Sequence, residues 1–183
     1  MAVTLNTSGA GVFNGSAQVA FVSQNPEMSD LALASGSVGL QAQVNNVANA
    51  EFGIVSSIGT LTRSGNAFTL DLGNVVLGSS LANLELRLTN AVPVSEPADA
   101  LTGAFDLSQA GDADGFSYSG WNAFSGLAAG LSVTGLDFSF DALALGLVDD
   151  LVAFDGFSVN GFGPDLAQGR TLTIRANVIA GNG

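Results

Sequence analysis

The chain has 183 residues, of which 47% are hydrophobic and 11% are charged, and its formal net charge at pH 7 is −12. It contains no Cys, His or Lys, so a disulfide framework, a thiolate zinc site, a Ser-His-Asp triad and a lysine Schiff base are excluded. The negative charge opposes binding to nucleic acid and to anionic membrane surfaces. We therefore expect no enzyme activity, no cofactor, no nucleic-acid partner and no membrane insertion.

The first predicted elements lie in residues 1–47, where Ala17, Val19 and Phe21 alternate with polar or small residues. Alternation with a period of two is typical of a half-buried strand. About two or three strands fit into this segment, which is too few for an independently stable sheet. We expect these strands to pack on the sandwich of their own chain or on that of a neighbouring copy.

Residues 48–183 contain about seven to nine predicted strands separated by Gly, Asn, Asp and Ser turns. Leu84, Leu86 and Leu88 share one face of a strand, and Leu172, Ile174 and Ala176 share one face of another. The segment 95–101 fits one short helical turn, and 141–151 fits either a helical turn or a strand. The pattern predicts an all-β, immunoglobulin-like antiparallel β-sandwich (48–183) with additional N-terminal strands (1–47).

One motif occurs twice. Leu33-Ala34-Ser35-Gly36 precedes an alternating strand, and Leu166-Ala167-Gln168-Gly169 precedes another. Upstream of them, Phe13-Asn14-Gly15 is similar to Phe154-Asp155-Gly156. Repeats of this kind indicate repeated supersecondary units, so residues 1–47 read as the tail of a preceding repeat.

Several segments resemble one bacterial family. They are the strands 68–79 and 84–90, the turn 122–130 with its Gly-Leu-Ala-Ala-Gly run, and the hairpin strand 13–21. Together they resemble the choice-of-anchor D domains, which are related to the immunoglobulin-like domains of the ASPM, SPD-2 and hydin type. The resemblance implies immunoglobulin-like sandwiches, often in tandem, on secreted or surface-anchored bacterial proteins, and it implies no catalytic activity.

The acidic turn around Asp112 and Asp114, with Asp106 upstream, is the candidate metal site. Calcium prefers several carboxylate and carbonyl oxygens that converge on one loop. The spacing of an EF-hand is missing, and a solvated acidic turn between strands explains the same residues. Calcium at Asp106, Asp112 and Asp114 is therefore one of two open interpretations.

Trp121 and Tyr118 are the only residues of their kinds and form the candidate ligand site. They fit a sugar-stacking platform, and they equally fit a core plug whose polar atoms lie near the rim. Asp149 and Asp150, near Asp155, form a second acidic cluster, but nothing in the sequence places an acid and a nucleophile across a groove as a glycosidase requires.

Taken together, the sequence predicts a non-catalytic structural or adhesive subunit at the bacterial cell surface or outside the cell. We expect it to form a homo-oligomer or homopolymer through strand-edge pairing, with filaments or a surface layer as the product. A carbohydrate- or calcium-binding β-sandwich module is the alternative.

Overall fold

The computed structural model describes residues 4–110, 115–163 and 165–181. Within these ranges the chain is all-β, as predicted, and contains no helix that is long and apolar enough to cross a membrane. The chain divides into two compact units. The N-terminal unit runs to Asn46 and includes Ser95–Pro97, and the sandwich unit comprises Val47–Val94 and the chain from Ala98 onward.

The N-terminal unit contains four strands that form one long antiparallel hairpin, here called the ribbon (residues 11–44). Its strands are β1 (Gly11–Val19), β2 (Val22–Asn25), β3 (Met28–Ala32) and β4 (Gly36–Val44). β1 pairs with β4 without a register shift, and β2 pairs with β3. A hydrogen bond of 2.9 Å from the Leu33 amide to the Phe21 carbonyl joins the two pairs.

The ribbon has one apolar face and one polar face, because side chains alternate along each strand and paired residues share a face. On the apolar ribbon face the paired residues are Phe13 with Ala42, Gly15 with Leu40, Ala17 with Val38, and Val19 with Gly36. On the polar ribbon face they include Asn14 with Gln41, Ser16 with Gly39, and Gln18 with Ser37. The sequence therefore alternates as a half-buried strand does.

The sandwich unit contains two sheets. Its strands are β5 (Ala50–Ile54), β6 (Thr60–Ser64), β7 (Ala67–Val76), β8 (Ser80–Asn90), β9 (Ala100–Asp106), β10 (Phe116–Ser119), β11 (Phe124–Leu127), β12 (Ser132–Asp141), β13 (Gly146–Val159), β14 (Leu166–Ala167) and β15 (Arg170–Ile179). A four-stranded sheet has the order β10-β12-β8-β5. A seven-stranded sheet has the order β11-β9-β13-β15-β7-β6, with β14 paired to β13.

One pair of strands departs from the antiparallel arrangement that the sequence predicts. β15 runs parallel to β7, with Leu172 beside Phe68 and Ile174 beside Leu70. Parallel neighbours require a long crossover connection, and here the whole segment between β7 and β15 supplies it. The structure therefore corrects a purely antiparallel sandwich to a mixed seven-stranded sheet.

The hydrophobic core lies between these two sheets. The predicted inward-facing residues of β8 and β15, among them Leu86, Leu88, Leu172 and Ile174, are almost fully buried. An aromatic cluster fills the same layer and comprises Phe52, Phe68, Phe105, Phe124, Phe154, Tyr118 and Trp121. The period-two pattern thus identified the faces that pack against each other.

The two segments that fitted a short helical turn are not helical. Residues 95–99 contain a turn and an isolated bridge, and β9 begins at Ala100. For 141–151 the sequence fitted a helical turn or a strand, and the strand is confirmed from Gly146, where β13 begins. There β13 pairs with β15, from Gly146 beside Val178 to Leu151 beside Thr173. Because Leu147 is 83% exposed, the pairing and not the burial of the alternating leucines sets the strand conformation.

Candidate functional site

The candidate metal site is described only at Asp106. This residue ends β9, and its Oδ1 accepts a hydrogen bond of 2.8 Å from the Ser108 amide. That bond, followed by one with the Ser108 side chain, lowers the pKa of Asp106. Asp112 and Asp114 lie outside the described residues, so the calcium site stays a prediction. The described ranges contain no group of three or more acidic residues that would hold a metal ion.

Trp121 lies in the core of the sandwich unit and is 7% exposed. Its indole Nε1 donates a hydrogen bond of 2.7 Å to the Asp137 carbonyl. The rings of Phe105 and Tyr118 meet it edge to face, at centroid distances of 5.1 Å and 5.6 Å. Sugar stacking needs an open ring face, and the arrangement around Trp121 is that of a core residue with a satisfied polar atom.

Tyr118 is held by a buried carboxylate. Its hydroxyl donates a hydrogen bond of 2.9 Å to Oδ2 of Asp150, which is 5% exposed. Burial, followed by the hydrogen bond and the charge of Asp150, raises the pKa of Tyr118 far above its ordinary value. The other oxygen of Asp150 accepts a hydrogen bond from the Leu151 amide. The pair therefore joins β10 to β13.

The acidic cluster does not form a paired-carboxylate site. Asp149 and Asp150 are consecutive in β13, so their side chains point to opposite faces of the sheet, one exposed and one buried. Asp155 is six residues from Asp149, which corresponds to about 20 Å along a strand. A glycosidase needs two carboxyl groups about 5–10 Å apart across a groove, and these residues do not provide them.

Stability is expected to fall with rising pH above about pH 10 because of Tyr118. The tyrosine of the unfolded chain loses its proton near its ordinary pKa of 10.0, whereas the folded protein retains it. The unfolded state then binds fewer protons, so unfolding becomes more favourable, by up to about 1.4 kcal/mol per pH unit. Urea denaturation at a series of pH values measures this slope in a chain that has a single Tyr and no Lys or Cys.

Tyr118→Phe is the matched variant, since it keeps the ring and removes the titrating hydroxyl. We expect it to lose stability at neutral pH, where the buried carboxylate loses a donor, and to lose most of the alkaline slope. A wild-type stability that stays constant across this pH range would contradict the assignment.

Arg170 is a buried residue that no sequence motif singled out. Its Nε donates to the Ala50 carbonyl at 2.9 Å, and its terminal nitrogens donate to the Gly169 carbonyl and to Asn49 Oδ1. Burial, followed by the charge of Arg63, lowers its pKa. The signal was present in the sequence, because Arg170 has the same parity as Leu172 and Ile174 and must face inward with them.

The edges of the sandwich sheets are protected. β5 and β6 are edge strands of five residues each, and a salt bridge of 3.5 Å between Glu51 and Arg63 joins them. The Arg170 side chain donates a hydrogen bond to the Ala50 carbonyl of β5, so this backbone acceptor already has a partner. At the opposite edges, β10 and β11 have only four residues each, and β11 carries a register shift. Charges, short lengths and irregular pairing are the devices that keep sheet edges from pairing with other chains.

The ribbon has none of these protections along β1 and β4. Each strand has nine residues and one neighbour in its sheet, and neither contains a charged residue, a proline or a register shift. On its apolar face Phe13, Val38 and Leu40 are 39%, 50% and 37% exposed. A groove of about 340 Å³ lies between Thr4 and Leu5 and one end of the ribbon, where residues 13–15 and 40–42 line it. Long, uncharged, apolar edges are ready templates for another strand.

No protein-family model matches this sequence, and no curated protein matches it significantly.

Proposed function

We propose that this protein is a non-catalytic, extracellular bacterial structural or adhesive subunit that associates with other copies of itself through the edges of the ribbon. The observation that carries the proposal is the contrast within one chain. The sandwich edges are short, charged or irregular, whereas the ribbon edges are long, regular and uncharged. A protein that gained nothing from strand pairing would have charges or prolines in β1 and β4.

Ribbon edges of this kind support an open assembly. β1 and β4 run in opposite directions, so β4 of one copy pairs with β1 of the next in the antiparallel sense without any change in orientation. Such contacts are head-to-tail and do not close, and contacts that do not close generate filaments. The resemblance to choice-of-anchor D domains supports the extracellular, bacterial location.

The test is light scattering of the full-length chain over a concentration series, together with negative-stain microscopy, with and without calcium. We expect regular assemblies that grow with concentration in both conditions. The double variant Ser16→Lys/Ser37→Lys adds one charge to each edge strand and is expected to remain monomeric, because lysines on edge strands oppose pairing.

The control is Ser57→Lys/Asn122→Lys, which adds the same charge at exposed loop positions of the sandwich unit. It is expected to assemble as the wild type does. A wild-type chain that stays monomeric at the highest concentration, or equal loss of assembly in both double variants, would overturn the proposal.

A further inference from the structure

The apolar ribbon face is a second unprotected surface, separate from the ribbon edges. The residues that form it carry only apolar side chains or none, from Phe13 near one end to Val19 at the other. Phe21 continues it, because a Cβ placed on Gly36 would lie 3.3 Å from the Phe21 ring. A two-stranded hairpin is marginally stable in water by itself, so a surface of this kind needs a cover.

Charge favours a second ribbon as that cover. The only charged residues in 11–44 are Glu27 and Asp30, at the tip formed by β2 and β3. The other 14 of the 16 acidic residues lie outside the ribbon. Two copies that carry a net charge of −12 each repel one another, and the stem formed by β1 and β4 is a surface on which they meet without opposing like charges.

The shape of the face is also self-complementary. Each of the four cross-strand pairs combines a larger and a smaller residue: Phe13 with Ala42, Leu40 with Gly15, Val38 with Ala17, and Val19 with Gly36. The larger side chain lies on β1 in the first and last pairs and on β4 in the two between them. A face with alternating large and small residues presents ridges and hollows, and a two-fold rotation places the ridges of one copy over the hollows of the other.

The area of the apolar ribbon face indicates how many ribbons must associate before this packing is stable. At about 3.4 Å per residue and about 4.8 Å between strands, β1 and β4 present a surface of about 30 Å by 10 Å. Two such faces bury about 600 Å², roughly half of what a specific, stable interface needs. One pair of ribbons is therefore held weakly, and edge pairing, which sets many ribbons side by side, multiplies the area.

We propose that the apolar ribbon face of one copy packs against the same face of a second copy. Two edge-paired ribbon sheets of the assembly then stack face to face, an arrangement here called lamination. This inference rests on the proposed function and specifies how its sheets are completed. The partner is a second copy of this chain.

The first test compares Val38→Asp on the apolar face with Gln41→Asp on the polar face of the same strand. Val38→Asp is expected to raise the concentration at which assembly begins by at least about tenfold, because lamination would bury an unpaired carboxylate. Gln41→Asp adds the same charge to the same edge strand, so it carries only the cost that the charge imposes on edge pairing, and the rise for Val38→Asp is expected to be at least about tenfold larger than the rise for Gln41→Asp. Light scattering measures both, and circular dichroism checks that both variants fold.

The second test uses single cysteines, which the Cys-free chain makes unambiguous. Ala17→Cys lies on the apolar face and Gln18→Cys on the polar face. Stacked sheets lie about 10 Å apart, too far for a direct disulfide, but lamination excludes solvent from the side chain at position 17 and leaves that at position 18 in water. In the assemblies, Ala17→Cys is therefore expected to react with a thiol reagent at least about tenfold more slowly than in the dissociated chain, and Gln18→Cys to react at an unchanged rate.

The outcomes separate this inference from the proposed function. Assembly by the wild type, with equal effects of the two aspartates and equal thiol reactivity of Ala17→Cys in the assembled and dissociated chain, would overturn lamination and leave edge association standing. A wild type that remains monomeric would overturn both. Destabilisation of a monomer by Val38→Asp would then show that the face is covered within its own chain.

Discussion

Gly103→Ala is expected to lower the free energy of unfolding of the sandwich unit by about 3 kcal/mol, at the upper end of the usual cost of overpacking. A Cβ at Gly103 would lie 2.5 Å from Cε2 of Phe154 and 2.6 Å from the Asp155 carbonyl oxygen. The ring has little space to move, because it stacks on Phe124 at 5.7 Å and contacts Phe105 at 5.2 Å. Urea denaturation followed by the fluorescence of Trp121 measures the loss.

Gly169→Ala is the matched control for this prediction. Its new Cβ would lie 3.6 Å from the Phe154 carbonyl oxygen, which is an ordinary contact, and its backbone is not in the left-handed region. We expect a change within about 0.5 kcal/mol. A loss at Gly169 equal to that at Gly103 would show that alanine is harmful in this part of the sheet for another reason, and it would remove the steric explanation.

The Phe154 ring explains why a glycine occurs at this point in the middle of a sheet. Gly103 on β9 and Gly156 on β13 are paired in register, and Phe154 lies two residues before Gly156 on the same face. A Cβ on Gly156 would lie 2.3 Å from that ring. The two glycines together form the hollow that the phenylalanine fills, and the filled hollow is part of the core.

The repeated motif does not produce the same packing in the ribbon. Phe13 and Gly15 stand as Phe154 and Gly156 do in the sequence, but a Cβ on Gly15 would meet nothing within 4 Å, and Phe13 is 39% exposed. The sequence contains the motif twice and had no means of showing that one copy is buried and the other open. The difference comes from β9, which lies beside β13 and supplies Gly103 and Phe105 as neighbours of the Phe154 ring, whereas β1 of the ribbon has β4 as its one neighbour in its sheet.

Alternation along a strand is a local property, which is why the sequence predicted the buried faces of β8 and β15 correctly. Leu84 and Leu172 are each buried as their parity requires. Pairing between strands distant in the sequence is not local. The parallel contact of β15 with β7 depends on which strand fills the centre of the seven-stranded sheet, and no motif within either strand specifies it.

The candidate sites also differ in whether their structure follows from the pattern within one strand or from contacts between strands that are distant in the sequence. Parity alone separates Asp149 from Asp150, so their divergence was available from the sequence. The burial of Trp121 was not, because Trp121 lies between β10 and β11, outside any strand. Its cover comes from Phe52 and Phe105, which belong to other strands and approach it only in the folded chain.

Trp121→Ala is expected to lower the free energy of unfolding by about 3–5 kcal/mol, because it removes a large buried ring and leaves the Asp137 carbonyl without its donor. Trp121→Phe keeps an aromatic ring and loses only the bulk and the hydrogen bond, so its expected loss is smaller, about 1–3 kcal/mol. Circular dichroism during urea denaturation measures both without relying on the tryptophan signal. An alanine variant that unfolds with the wild type but no longer binds a glycan that the wild type binds would make Trp121 a ligand platform. A large loss of stability instead assigns Trp121 to the core of the sandwich unit.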